Sequence, residues 1–130
     1  QNCVVYTGTH DNNTTVGWFR GGVTGDTIRT AEDIHREKDF ALKYLSADGG
    51  RINWDLVRLA FSSVASIAIV PLQDVMGLGS EARMNTPGTT VGNWEWRFSF
   101  NMITKEMEHK LKEMTIVYGR SPKMRCDKTY

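Results

Sequence analysis

The chain has 130 residues, enough for one domain with a core of its own, and its 40% hydrophobic and 24% charged content is that of a globular protein. A net charge of +1 argues against a nucleic-acid partner. No apolar run approaches the roughly 20 residues of a bilayer span, so no membrane partner is expected.

Cys3-Val4-Val5-Tyr6 reads as a short strand over 3–6, buried on both faces because its apolar run is continuous rather than alternating. It follows Gln1 with no initiator Met and no lead-in, which reads as the boundary of a piece of a longer protein. Thr7-Gly8-Thr9-His10-Asp11-Asn12 is a polar loop, and residues 20–30, with Gly21, Gly22 and Gly25, form a surface connection. Thr30 caps a helix over about 31–46, with Glu32 and Asp33 in its first turn and Phe40, Leu42, Tyr44 and Leu45 as its apolar side. Leu56, Val57, Ala60, Phe61 and Val64 recur at helical spacing over about 54–64. Ser66-Ile67-Ala68-Ile69-Val70-Pro71 reads as a second buried strand, followed by a polar segment over 72–97. Ile103, Met107, Leu111 and Met114 lie on one stripe of a last helix over about 104–115. Residues 1–118 form the folded unit, and 119–130, with Arg120, Lys123, Arg125 and Lys128, read as a basic, frayed tail.

This strand–helix–strand–helix order is an α/β class with parallel strands. Two parallel strands do not cover both faces of a sheet, so the unit expects more strands from elsewhere. A portion of a (β/α)8 barrel or of a doubly wound sheet meets that need, and both polar segments follow the carboxyl end of a predicted strand, where barrels place their catalytic groups. Cys3 and Cys126 have neither disulfide-framework nor metal-ligand spacing and read as reduced thiols in a cytosol-like compartment.

Three clusters carry candidate chemistry. His10-Asp11 pairs a carboxylate, able to stabilise developing positive charge, with a hydrogen-bonding imidazole; the same residues also suit an ordinary turn, and two ligands are too few for a metal site. Gln73-Asp74 precedes Gly77-Leu78-Gly79-Ser80-Glu81-Ala82, which has the glycine spacing of a dinucleotide site. The first Gly stands too far from the strand, however, and Asn85-Thr86-Pro87-Gly88 breaks any helix that would face a pyrophosphate. Asn93-Trp94-Glu95-Trp96-Arg97 sets indoles beside polar groups, an arrangement suited to stacking on pyranose rings and equally to core packing; Trp18 shares that ambiguity.

Taken together, Val4 to Asn12, Pro71 to Gly88 and Asn93 to Arg97 resemble motifs of glycoside hydrolase family 77, the amylomaltase and disproportionating-enzyme type of 4-α-glucanotransferase. The resemblance covers residues 3–100. It implies the C-terminal portion of a (β/α)8 barrel, about strands seven and eight with their helices. It implies retaining transfer of α-1,4-glucan segments to an acceptor 4-hydroxyl by double displacement. By motif match Asp11 is the transition-state stabiliser, His10 hydrogen-bonds the same sugar, and Gln73, Asp74, Asn85 and Trp94 belong to the substrate cleft. Malto-oligosaccharides are the implied partners, no metal or organic cofactor is implied, and the compartment is cytoplasmic, or the plastid stroma in a plant or alga. The family's nucleophile and acid/base lie on strands four and five, outside the residues present, so the chain alone is expected to be inactive. Asn13 stands where the family usually has Asp, in the pattern H-D-N-D-T. The alternative is a non-catalytic glucan-binding or vestigial protein.

Overall fold

In a computed structural model, residues 2–21 and 30–121 are described. The elements run β1 (Val4–Tyr6), α1 (Thr15–Arg20), α2 (Ala31–Leu45), α3 (Ile52–Ser62), β2 (Ile67–Ile69), α4 (Leu72–Met76) and α5 (Lys105–Val117), with short 3-10 turns at Ser80–Ala82 and Phe100–Met102. Residues 22–29 of the expected connection lie outside the described residues, as do Lys123, Arg125, Cys126 and Lys128 of the tail.

β1 and β2 pair in parallel, Val4 with Ile67, Val5 with Ala68 and Tyr6 with Ile69. The α/β class and the parallel pairing therefore hold. Burial on both faces does not: Tyr6 is 50% exposed and Ile67 53%. A two-stranded sheet leaves each strand an open edge, and only part of its surface is covered.

Local signals account for the longer helices. Thr30 and Asp33 form a reciprocal capping box at the start of α2, and Thr104 caps α5 by accepting from the Met107 amide. The apolar side assigned to α2 is half correct. Leu45 is buried and Leu42 packs on the core, but Phe40 and Tyr44, 70% and 66% exposed, stack on each other at the surface. The core joins Val16 of α1, Leu45 of α2 and Ile52 of α3, with Trp18, Phe19, Leu42, Ala47 and Leu56 against it. Gly49, at φ 85°, lets the chain turn beneath Phe19, whose ring would stand 2.7 Å from an added Cβ.

Arg120 corrects the tail boundary. Its guanidinium donates to the carbonyls of Ala60, Phe61, Ser63 and Ala65 at 2.7–3.3 Å, so it closes the carboxyl end of α3 instead of fraying. These carbonyls lie at and just past a helix end, where a cation is suited to them; the Ala60 carbonyl also accepts from the Ser63 N–H.

Candidate active site

Both polar segments leave the same end of the sheet, because parallel strands put their carboxyl ends together. The first carries His10 and Asp11, and the second runs through α4 to Arg83, Asn85 and Trp94. A cleft of about 540 Å³ opens between them, lined by His10, Asn12, Gln73, Asp74, Arg83 and Met84 among others.

Asp74 binds the two segments together. It is 1% exposed, and its carboxylate accepts from the Thr7 hydroxyl at 2.7 Å, the Thr15 amide at 2.8 Å and the Thr15 hydroxyl at 2.9 Å. The Thr15 amide opens α1 and has no partner inside that helix, so the carboxylate fills the place of a cap. Asn53 of α3 donates to the Asp74 carbonyl at 2.8 Å, tying the same residue to the helix layer. Gln73, also buried, donates to the Ala82 carbonyl at 3.3 Å. Both residues sit beneath the cleft, as its floor rather than its rim.

Asp11 is exposed beside this cleft, whose lining includes His10 but not Asp11, Asn85 or Trp94. Its Oδ1 accepts from the Asn85 amide at 2.6 Å and lies 3.3 Å from His10 Nε2. Asn85 also donates its backbone N–H to the His10 carbonyl at 3.1 Å. The Trp94 ring centroid lies 5.1 Å from that of His10, tilted by 37°. His10, Asp11, Asn85 and Trp94, assigned to one site by resemblance, thus meet in space around one exposed carboxylate. Trp96 packs instead against Phe98, 5.9 Å away and nearly parallel, and Trp18 joins the core.

Four participants carried no sequence assignment. Arg83 donates Nη2–H to the Asp11 carbonyl at 2.7 Å and Nε–H to the Asn85 carbonyl at 2.8 Å. Thr7 and Thr15 are visible only through Asp74. Ser80 receives the Asn13 amide at 2.9 Å. Asn13 Oδ1 meanwhile accepts from the Thr14 N–H at 2.9 Å, so the amide bridges loop and turn. The available signal was the position of Thr7, Ser80 and Arg83 inside long motifs.

The glycine-spaced segment has no dinucleotide geometry. Gly77, at φ 67°, ends the five-residue α4, and Gly79 opens only a three-residue 3-10 turn. Among the described residues no group of three His, Cys, Asp or Glu is arranged to hold a metal ion, and no helix is long and apolar enough to cross a membrane.

Parallel strands whose polar loops converge at their carboxyl ends define an α/β protein with its site on the strand-end loops. The chain belongs to the 4-α-glucanotransferase family, glycoside hydrolase family 77, whose model matches residues 1–104. It is 47% identical over 119 residues to the 4-α-glucanotransferase of Synechocystis sp., a match covering 92% of this chain and 22% of that protein. It is 47% identical over 124 residues to the chloroplastic/amyloplastic 4-α-glucanotransferase of Arabidopsis thaliana, covering 92% of this chain and 19% of that one. Among solved structures, an amylomaltase from Streptococcus agalactiae in complex with acarbose superposes with a TM-score of 0.74 at 30% identity, over 89% of this chain and 21% of that one. The chain therefore spans about a fifth of the length of the relatives it matches.

Proposed function

We propose that this chain supplies one wall of the active site of a 4-α-glucanotransferase acting on malto-oligosaccharides, as part of a (β/α)8 barrel in which β1 and β2 are the last two strands. Asp11 is its transition-state stabiliser. An exposed carboxylate beside the cleft, with an amide bonded to it and an imidazole and an indole next to it, supports this reading. An ionised carboxylate there stabilises the oxocarbenium-like sugar; His10 and Asn85 fix its direction and offer hydrogen bonds to sugar hydroxyls, and Trp94 offers a ring face for stacking. Gln73 and Asp74 act from below by holding the two loops at their spacing.

Retaining transfer uses two carboxyl groups about 5–5.5 Å apart across the scissile bond. Asp74 is enclosed and already satisfied by three donors, and Glu81 is turned back on the Gly79 amide at 2.8 Å. On this reading neither is the nucleophile or the acid/base, which the family resemblance assigns to strands four and five of the barrel. The test is glucose release from maltotriose. The full-length protein carrying this segment is expected to be active, and its Asp11→Asn variant to lose at least about 100-fold in kcat. The purified 130-residue chain is expected to stay at the buffer blank. An Asp11→Asn enzyme with unchanged kcat, or an active isolated chain, overturns the proposal.

A further inference from the structure

We propose that Arg83 is a positioning residue for Asp11, acting through main-chain carbonyls of both loops; this rests on the role given above to Asp11. Nε–H and Nη2–H lie parallel along one edge of the guanidinium plane. Here that edge meets the Asp11 carbonyl at 2.7 Å and the Asn85 carbonyl at 2.8 Å. These are the carbonyls of the two residues whose side chains meet at 2.6 Å, the Asn85 amide donating to Asp11 Oδ1. The bridge is thus made twice, once by side chains and once beneath them by the guanidinium.

Removing the cation leaves two carbonyl dipoles with their negative ends converging on an empty point. They repel, and the loops part at the position where the amide-to-carboxylate bond is made. That bond holds Oδ1, while among the described residues no group is bonded to Oδ2, the oxygen left for the sugar. A shift of the Asp11 main chain therefore moves the charge that the transition state requires. A lysine ammonium has three donors but no rigid planar edge to hold two carbonyls at a fixed spacing. The main-chain contact also makes Arg83 independent of which side chain stands at position 11.

The experiment uses the full-length protein and steady-state glucose release from maltotriose, with thermal midpoints recorded alongside. Arg83→Lys and Arg83→Ala are expected to lower kcat by about 10- to 100-fold, the scale of a misplacement of about 1 Å, with KM changed less than about threefold. Added guanidinium ion is expected to restore part of the kcat of Arg83→Ala. In an Asp11→Asn background, Arg83→Lys is expected to cost little more than Asp11→Asn alone, because no charge remains to be aimed. A kcat within twofold of the parent, a loss carried by KM, or full additivity with Asp11→Asn overturns the proposal. If Arg83→Ala does not fold, Arg83→Lys and its double variant decide the matter. An inactive parent enzyme, or an Asp11→Asn enzyme as fast as the parent, strikes at the assigned function instead, so the two failures are distinguishable.

Discussion

Trp94 holds its backbone at φ 64°, in the left-handed region that a bulky residue occupies at a cost of about 1–3 kcal/mol. The hydrogen bond from its N–H to the Met84 carbonyl at 2.6 Å and the Arg97 guanidinium on its own carbonyl at 2.8 Å hold it there, with the indole against His10. Backbone strain and ring contact are separable. Trp94→Gly relieves the strain and Trp94→Ala keeps it, so the glycine variant of the full-length protein is expected to be more stable by about 1 kcal/mol in urea. Both lose the ring, and KM for maltotriose is expected to rise by a similar factor in the two; a rise confined to the alanine variant would assign the effect to strain. Asn13 makes a contrasting case. Its Nδ2 donates to a serine hydroxyl, a partner able to turn around and donate to a carboxylate instead. Asn13→Asp is therefore expected to change stability by less than about 0.5 kcal/mol, measured by the denaturation midpoint.

At the scale of elements, α1 approaches the 3-10 turn at Ser80 so closely that only glycine fits between. A Cβ on Gly17 would stand 2.5 Å from Asn13 Oδ1, 2.7 Å from Ser80 Oγ and 2.8 Å from the Ser80 amide. Gly17→Ala is expected to destabilise by about 1–3 kcal/mol and to lower activity, since the contact it forces apart joins the two loops. Arg120→Ala is expected to cost about 1–2 kcal/mol in the same measurement by stripping the carbonyls at and just past the end of α3 of this partner, with kcat unchanged. The signals that announce elements explain which of them were legible. Thr30 and Thr104 advertise α2 and α5 because a side-chain cap is a local event written in adjacent residues. α1 received no assignment: it has a local cap, the Thr14 hydroxyl accepting from the Gly17 amide, but its six residues include Gly17 and a β-branched pair and are too few to show a helical period. α4 is a short helix between Pro71 and Gly77, punctuation visible in the sequence but lost inside a long polar segment. The contacts of Asp11, His10 and Asn85 were legible only as membership of one motif set; no periodicity reports that an amide on one loop will meet a carboxylate on another. Nor did anything local mark Asp74 as buried, because its burial depends on Thr7, just after the first strand, and Thr15, at the start of α1.

For the molecule as a whole, the open sheet is decisive. A continuous apolar run predicts a strand covered on both faces, and the coverage requires neighbours that two strands do not supply. Val4, Tyr6, Ile67 and Ile69 are left exposed on the sheet, Phe40 and Tyr44 on α2, and Val64 in the bend after α3, which ends at Ser62 and not at the expected 64. The isolated 130-residue chain is expected to bind a hydrophobic dye such as ANS and to melt without a cooperative transition. A sharp melt with native near-ultraviolet circular dichroism and no dye binding would show that the unit stands alone.

The carboxylate of Asp74 lies 67 residues beyond the Thr7 hydroxyl that it holds. On the ribosome, at about 5–20 residues per second, that separation is a wait of about 3–13 s. Throughout it the His10–Asp11 loop is already made, with its own Thr9–Asn12 hydrogen bonds but without the second loop against it. The order of synthesis thus sets the order of assembly: the Asp11 carboxylate, proposed as the stabiliser, emerges early and is aimed last, when the second loop arrives to close around it.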